Sequence, residues 1–219
     1  MVILSLYNED WGAEDIGDAG DAGAATRAYV RQAYEYLRVH YPQLLVVGND
    51  GWQHVSAEGR LLSDLLTVHS YQTQQAAWED VLDRMVRGDH AGVAAKPLTV
   101  GDPYFYAGQA PLVVSEWGGF GWAGYGGPAQ LDDRADRIRA FKLALCARPF
   151  AGDVYTQLTS VEGETNGLVD PATGELLVPA GLLASPPVGS SNGTSNGAPA
   201  GAPPDAPLSA PGSAPRAAS

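Results

Sequence analysis

The chain has 219 residues, 45% of them hydrophobic, and carries 25 acidic against 13 basic side chains, for a net charge of −12. Such a length holds one domain with a real core, and the acidic balance excludes nucleic acid and anionic membrane surfaces as partners, because both require a basic patch. A single cysteine, Cys146, excludes an internal disulfide and a cysteine-built metal site; placed in a helical pattern, it is expected to be a small buried hydrophobe. No apolar run reaches the length needed to span a bilayer. No basic residue precedes the apolar start, and Asn8, Glu9 and Asp10 interrupt it early, so no signal peptide is read and the chain is expected to be cytoplasmic.

Residues 2–6 read as an apolar strand that ends in Tyr7-Asn8-Glu9-Asp10-Trp11-Gly12. Residues 12–24, rich in Gly, Ala and Asp, read as a loop; the spacing of Asp15, Asp18 and Asp21 does not fit a calcium-binding EF-hand. Thr26 is positioned to cap a helix to about His40, with Tyr29, Ala33, Tyr36, Leu37 and Tyr41 on its inward face. Residues 44–47 form a short buried strand, followed by the polar and aromatic loop Gly48-Asn49-Asp50-Gly51-Trp52-Gln53-His54. A third strand over 63–68 ends in His69-Ser70-Tyr71, and a helix over 73–87 points Ala77, Val81, Leu82 and Met85 inward. Residues 89–109 read as a long irregular loop over the sheet edge.

The central stretch is Pro111-Leu112-Val113-Val114-Ser115-Glu116-Trp117-Gly118-Gly119. Its β-branched run, bounded by Pro and a Gly pair, is the pattern of a strand buried on both faces of a parallel sheet. A helix over 131–147 with Leu131, Ile138, Phe141 and Leu145 inward and a last strand over 153–158 complete the order. The expected fold is α/β, with about five strand–helix units in one parallel sheet and every strand's C-terminal end on the same edge. The expected domain spans 1–180; 181–219, dominated by Ala, Pro, Gly and Ser, is expected to be disordered.

Two strands therefore each deliver a glutamate, Glu9 and Glu116, to one sheet edge, and each glutamate is followed by tryptophan and glycine. Paired carboxylates beside rings that can stack on sugar faces point to glycoside hydrolysis. The histidines at 40, 54, 69 and 90 show neither His-x-His nor His-Glu-x-x-His spacing, so no metal site is expected. His54 and His69 are expected at the cleft or holding its loops, His40 and His90 at the surface.

In these segments the chain resembles glycoside hydrolase family 2, the β-galactosidase and β-glucuronidase group. Tyr7-Asn8-Glu9-Asp10-Trp11-Gly12 is similar to that family's Asn-Glu segment at barrel strand four, and Ser115-Glu116-Trp117-Gly118-Gly119 to its nucleophile segment at strand seven. The resemblance implies that Glu9 is general acid/base, Glu116 nucleophile, and Asn8 the residue that binds the sugar 2-hydroxyl. It also implies that Tyr71 hydrogen-bonds the nucleophile, that 51–54 is the strand-five segment, and that 155–168 is strand eight with its loop. Trp11, Trp52, His69 and Trp117 join Asn8 and Tyr71 as expected substrate-binding residues, and either role is open to Trp122. No cofactor is implied.

The implied fold is the C-terminal part of a TIM (β/α)8 barrel, strands four to eight, without strands one to three or the family's β-sandwich domains. Ser160 stands where the family usually has Asp, and Asn166-Gly167-Leu168-Val169 lacks the lysine that meets a uronate, so a neutral hexoside is the expected substrate. The expected activity is retaining hydrolysis of a β-glycoside. The competing expectation is a partial barrel without turnover that binds sugar or self-associates through its open sheet edges.

Overall fold

The computed structural model describes residues 2–122 and 131–182, the side chains of 131 and 132 excepted. It is an α/β fold of three helices and eight short strands. In chain order these are β1 (Val2–Ser5), α1 (Asp21–His40), β2 (Leu44–Val47), β3 (His54–Ala57), β4 (Arg60–Leu61), β5 (Leu66–Ser70), α2 (Gln75–Arg87), β6 (Thr99–Gly101), β7 (Leu112–Gly118), α3 (Leu131–Cys146) and β8 (Gly152–Thr156). A 3₁₀ turn at Ala180–Leu182 carries Leu182 into the core. The rest of the expected tail lies outside the described residues.

The single sheet expected from sequence is not what forms. The strands make three sheets: parallel β1–β2, mixed β4–β3–β6 and parallel β5–β7–β8. Two of the strands lie where loops were expected. β3 takes up His54 and runs to Ala57, and β6 crosses the middle of the 89–109 stretch to pair with it. β6 has only three residues, too few for an alternating pattern to stand out against its Gly- and Pro-rich surroundings.

The main core is built between the β5–β7–β8 sheet and helices α2 and α3. On α2, Trp78, Val81, Leu82 and Met85 recur at three- and four-residue spacing and are all buried, while Ala77 stands beside that stripe. Gly88, with φ 75°, ends the helix in the left-handed conformation. The Trp78 indole stacks on Phe141 at 5.2 Å, and its N–H donates to the Phe141 carbonyl at 3.0 Å, which ties α2 to α3. Ile138, Phe141 and Leu145 point inward as their spacing predicts. Leu131, expected beside them, has its side chain outside the described residues. Cys146 falls on the other face and is exposed, contrary to its expected burial.

Helix α1 begins five residues before Thr26. Arg27 reaches back to the Ile16 and Asp18 carbonyls at 2.7 Å each and organises the preceding loop, while the Thr26 hydroxyl donates to Asp15. Its inner stripe is Val30, Ala33, Tyr34 and Leu37, so Tyr29, Tyr36 and Tyr41 of the expected inward face are exposed. Strand β1 departs further from expectation: all four residues are exposed, Val2 at 60%. Because neighbouring strand residues face opposite sides, β1 is uncovered by the described residues on both faces as well as on the edge away from β2.

His54 opens β3 and is fully buried; its Nε2–H donates to the Thr67 carbonyl at 2.9 Å, and its Nδ1 has no partner. Burial holds the imidazole down at about 4 against the Thr67 carbonyl and the Asp50 charge. The unfolded chain therefore takes up this proton first, and stability is lost as pH falls from about 6.5 toward 4, by up to ~1.4 kcal/mol per unit. Thermal unfolding followed by circular dichroism is expected to show Tm falling over that window, with a shallower slope in a His54→Gln variant.

Candidate active site

Four acidic or basic side chains meet where β1, β2, β5 and β7 end. The first pair is set by backbone hydrogen bonds between the segments leaving β1 and β2. The Asp50 N–H donates to the Tyr7 carbonyl at 2.9 Å, and the Glu9 N–H donates to the Asp50 carbonyl at 3.0 Å. Glu9 and Asp10 then both adopt positive φ, 52° and 66°, a conformation costly for residues with a Cβ and held only where the surroundings enforce it.

Glu116 reaches the site because β7 is irregular. Its register against β5 slips between Val68 and His69, and against β8 between Val114 and Trp117. Strict alternation would put Glu116 on the same side as Leu112 and Val114, in the hydrophobic core. The bulge gives that side to Trp117 instead and turns Glu116 to the opposite one. Trp117 is consequently 1% exposed, packed on Trp78 and edge-on to Tyr155, with its N–H donated to Asp153 at 2.9 Å. Its expected role as a sugar platform is corrected: it is a core residue. The Gly118-Gly119 pair follows with φ 119° and 75°, and a Cβ at Gly118 would lie 2.7 Å from the Tyr155 ring.

His69 is the centre of the cluster. Its side chain has no exposed surface; Nδ1 lies 2.7 Å from Glu9 Oε1 and 3.6 Å from Glu116 Oε2, and Nε2 lies 3.7 Å from Asp50 Oδ1. The ring fits because Gly51, at φ 97°, has no Cβ: one would sit 2.6 Å from Nδ1. Burial alone pulls the imidazole down, but Asp50, Glu9 and Glu116 outweigh it and carry it up to about 9. At 3.7 Å the Asp50 approach is too long for a hydrogen bond, so Asp50 acts on the ring through its charge.

Burial also opposes ionisation of Asp50, yet His69, the Ser115 hydroxyl at 2.6 Å and Thr67 hold its carboxyl down at about 2. For Glu116 the balance goes the other way. Burial, with the Glu9 and Asp50 charges, raises it against His69 and the Tyr71 hydroxyl that donates to its Oε2.

The ligand atoms of Glu9, His69 and Glu116 lie within 4.8 Å of one another, close enough in principle for a cation. A metal would have to displace a proton that the imidazole binds tightly, and that imidazolium already neutralises part of the carboxylate charge.

Beside the cluster lies a cleft of about 360 Å³, lined by Glu9, Trp52, His69, Tyr71 and the stretch 92–95. Trp52 presents its ring edge-on to His69, with centroids 5.7 Å apart. The site thus brings together Glu9, Glu116, Tyr71, His69 and Trp52 of the residues singled out in the sequence. Trp11 is 76% exposed, and neither it nor Asn8, which is exposed immediately before Glu9, lines the cleft. Trp122 is half-buried, with its N–H on the Gly119 carbonyl.

Asp50 was passed over in the sequence although its loop stood out; its partners His69 and Ser115 are distant in sequence, and only the fold brings them together. The remaining histidines sit apart: His40 is exposed, whereas His90 is half-buried, its ring near Tyr106, rather than at the surface as expected.

Chemically, the site holds two neighbouring carboxyl groups, Glu116 accepting from the Tyr71 phenol and Glu9 beside the His69 imidazole. Compared with known proteins, the chain matches no family model and no curated protein sequence.

Proposed function

We propose that the chain is a retaining β-glycoside hydrolase acting on a neutral hexoside, built on a partial TIM barrel whose last five strands are β1, β2, β5, β7 and β8. The observation that carries this reading is the convergence of Glu9 and Glu116, with carboxylate oxygens within 4.8 Å. Retaining enzymes hold the pair roughly 5–5.5 Å apart, and inverting ones roughly 6.5–9.5 Å to admit a water.

Glu116 attacks the anomeric carbon as the bond to the leaving oxygen breaks, and Glu9 gives that oxygen its proton. Glu9 then takes a proton from water, whose oxygen displaces Glu116 from the anomeric carbon and releases the sugar. The Tyr71 hydroxyl favours Glu116 as a carboxylate. His69, 2.7 Å from Glu9 Oε1, holds that carboxyl in place and offsets part of the carboxylate charge around it. Trp52 offers an aromatic face in the cleft lining. Among the described residues no lysine or arginine lines the cleft, which favours a neutral sugar over a uronate. Proton NMR of the first product of an aryl β-glycoside tests the proposal: β-anomer first is expected, and α-anomer first contradicts it.

A second reading, self-association through open sheet edges, is supported by the exposure of Val2, Ile3 and Leu4 on β1 and of Val154 on β8. Sedimentation velocity is expected to show concentration-dependent mass, with Ile3→Lys weakening association about tenfold; a monomer at all concentrations removes this reading.

A further inference from the structure

Asp10 is a carboxylate with 1% exposure that takes no part in either bond-making step proposed above. It is surrounded by donors. Trp52 Nε1 donates to Oδ2 at 2.9 Å, Lys96 Nζ donates to the same oxygen at 2.6 Å, and Asn49 Nδ2 donates to Oδ1. With its amide nitrogen turned inward, as hydrogen-bonding chemistry requires here, Gln53 donates to both oxygens at 3.0 and 2.7 Å. The Asp10 N–H returns a bond to Asn49 Oδ1 at 3.1 Å, and Asn49 also donates to the Trp52 carbonyl at 2.8 Å.

Two separate parts of the cleft lining are tied to these partners. One is Trp52. The other is the stretch 92–95, which ends directly at Lys96. On the far side of Lys96 the chain is already fastened, since the Gln53 and His54 N–H groups donate to the Pro97 and Leu98 carbonyls at 2.9 Å each. The Lys96–Asp10 pair thus fastens the end of the 92–95 stretch, whose Val93 is anchored in the core, and the indole N–H bond ties the Trp52 ring to the same carboxylate.

We infer that Asp10 is a positioning residue for sugar binding, holding the Trp52 ring through its N–H and the 92–95 wall through Lys96, so that it governs affinity for the glycoside rather than bond cleavage. This rests on the glycosidase reading for its substrate. Its physical basis is the desolvation of the carboxylate. A buried charge cannot be left half-satisfied, so each donor is held in place by the same group. A ring fixed in its plane stacks on a sugar without losing rotamer freedom on binding.

The test uses the full chain carrying Asp10→Asn, Lys96→Met or Lys96→Arg, each with and without Trp52→Phe. Acrylamide quenching of the Trp52 emission, taken as the difference from the matching Phe chain, reports ring immobilisation without any turnover. Steady-state kinetics on an aryl β-glycoside report binding against chemistry. Asp10→Asn and Lys96→Met are expected to raise KM about tenfold with kcat within about threefold, and to make Trp52 more quenchable; Lys96→Arg restores both.

Unchanged KM and quenching in Lys96→Met, or a loss confined to kcat, overturns the inference. Lys96 is half-exposed, so its variants decide the matter even where Asp10→Asn does not fold. A parent chain without turnover sinks the glycosidase reading alone, and the quenching comparison still decides whether Asp10 holds the ring.

Discussion

Glu116→Gln is expected to lower kcat/KM on aryl β-glycosides by roughly 10⁴–10⁶-fold, the scale on which a missing nucleophile is felt. The amide keeps the shape of the carboxylate and can still accept from Tyr71, and the Glu116 side chain is partly exposed, so the fold should survive. What is lost is the charge that attacks the anomeric carbon. Glu9→Gln should behave differently. With a leaving group as acidic as dinitrophenol, protonation is dispensable and the first step should slow by no more than about tenfold. With an alkyl glycoside the loss should be roughly 10²–10⁴-fold, the worth of a general acid. Measuring kcat/KM for both variants across leaving groups separates the two roles. Equal losses for every leaving group in both variants would remove the assignment.

His69→Asn should cost less than Glu116→Gln but still a large part of the activity. It removes the positive charge from the middle of Glu9, Glu116 and Asp50 and leaves three carboxylates to repel one another. A loss of roughly 10²–10³-fold in kcat is expected.

The pH dependence of stability carries the same signature. The folded chain holds the His69 proton up to about 9, above the ordinary 6.5, because the carboxylates outweigh its burial. Its contribution to stability is thus fully present below about pH 6.5 and is lost as pH rises through about 9, roughly 3 kcal/mol in all. Tm measured from pH 6 to 9.5 should fall in the parent chain and stay flat in the variant. Asp50, held at about 2, acts in the opposite direction and in a separate acid window, so it does not blur this slope. His54, likewise, loses its contribution on the acid side of 6.5.

Much of the site was legible before the fold was known, for a physical reason. Apolar runs that stop at a carboxylate, histidine or tyrosine mark strand ends, and parallel strands bring their ends together. Glu9, His69, Tyr71 and Glu116 were found in that way. Trp117 was misread because alternation along a strand can be inferred only when no residue is bulged out, and the slip around Ser115 inverts the pattern at the point that matters. Asp50 and Asp10 were missed as functional groups because their meaning lies in partners far away in sequence, His69 and Ser115 for one, Lys96 for the other.

In α1 the expected inward face held Ala33 and Leu37 correctly but took in three tyrosines that the fold leaves exposed. Tyr29, Tyr36 and Tyr41 fit a helical face as well as Val30, Ala33, Tyr34 and Leu37 do, and only packing chooses between them. The apolar β1 reads as a buried strand, whereas in the fold nothing among the described residues covers either of its faces.

The most direct measurement of the two-glutamate account is the mass of the protein after incubation with a 2-deoxy-2-fluoro β-glycoside bearing a good leaving group. Such a substrate slows release of the glycosyl ester more than its formation, so the intermediate accumulates. The account predicts one added fluorosugar, carried by the peptide that contains Glu116 and absent from Glu116→Gln. No adduct, or one carried by another residue, would contradict it.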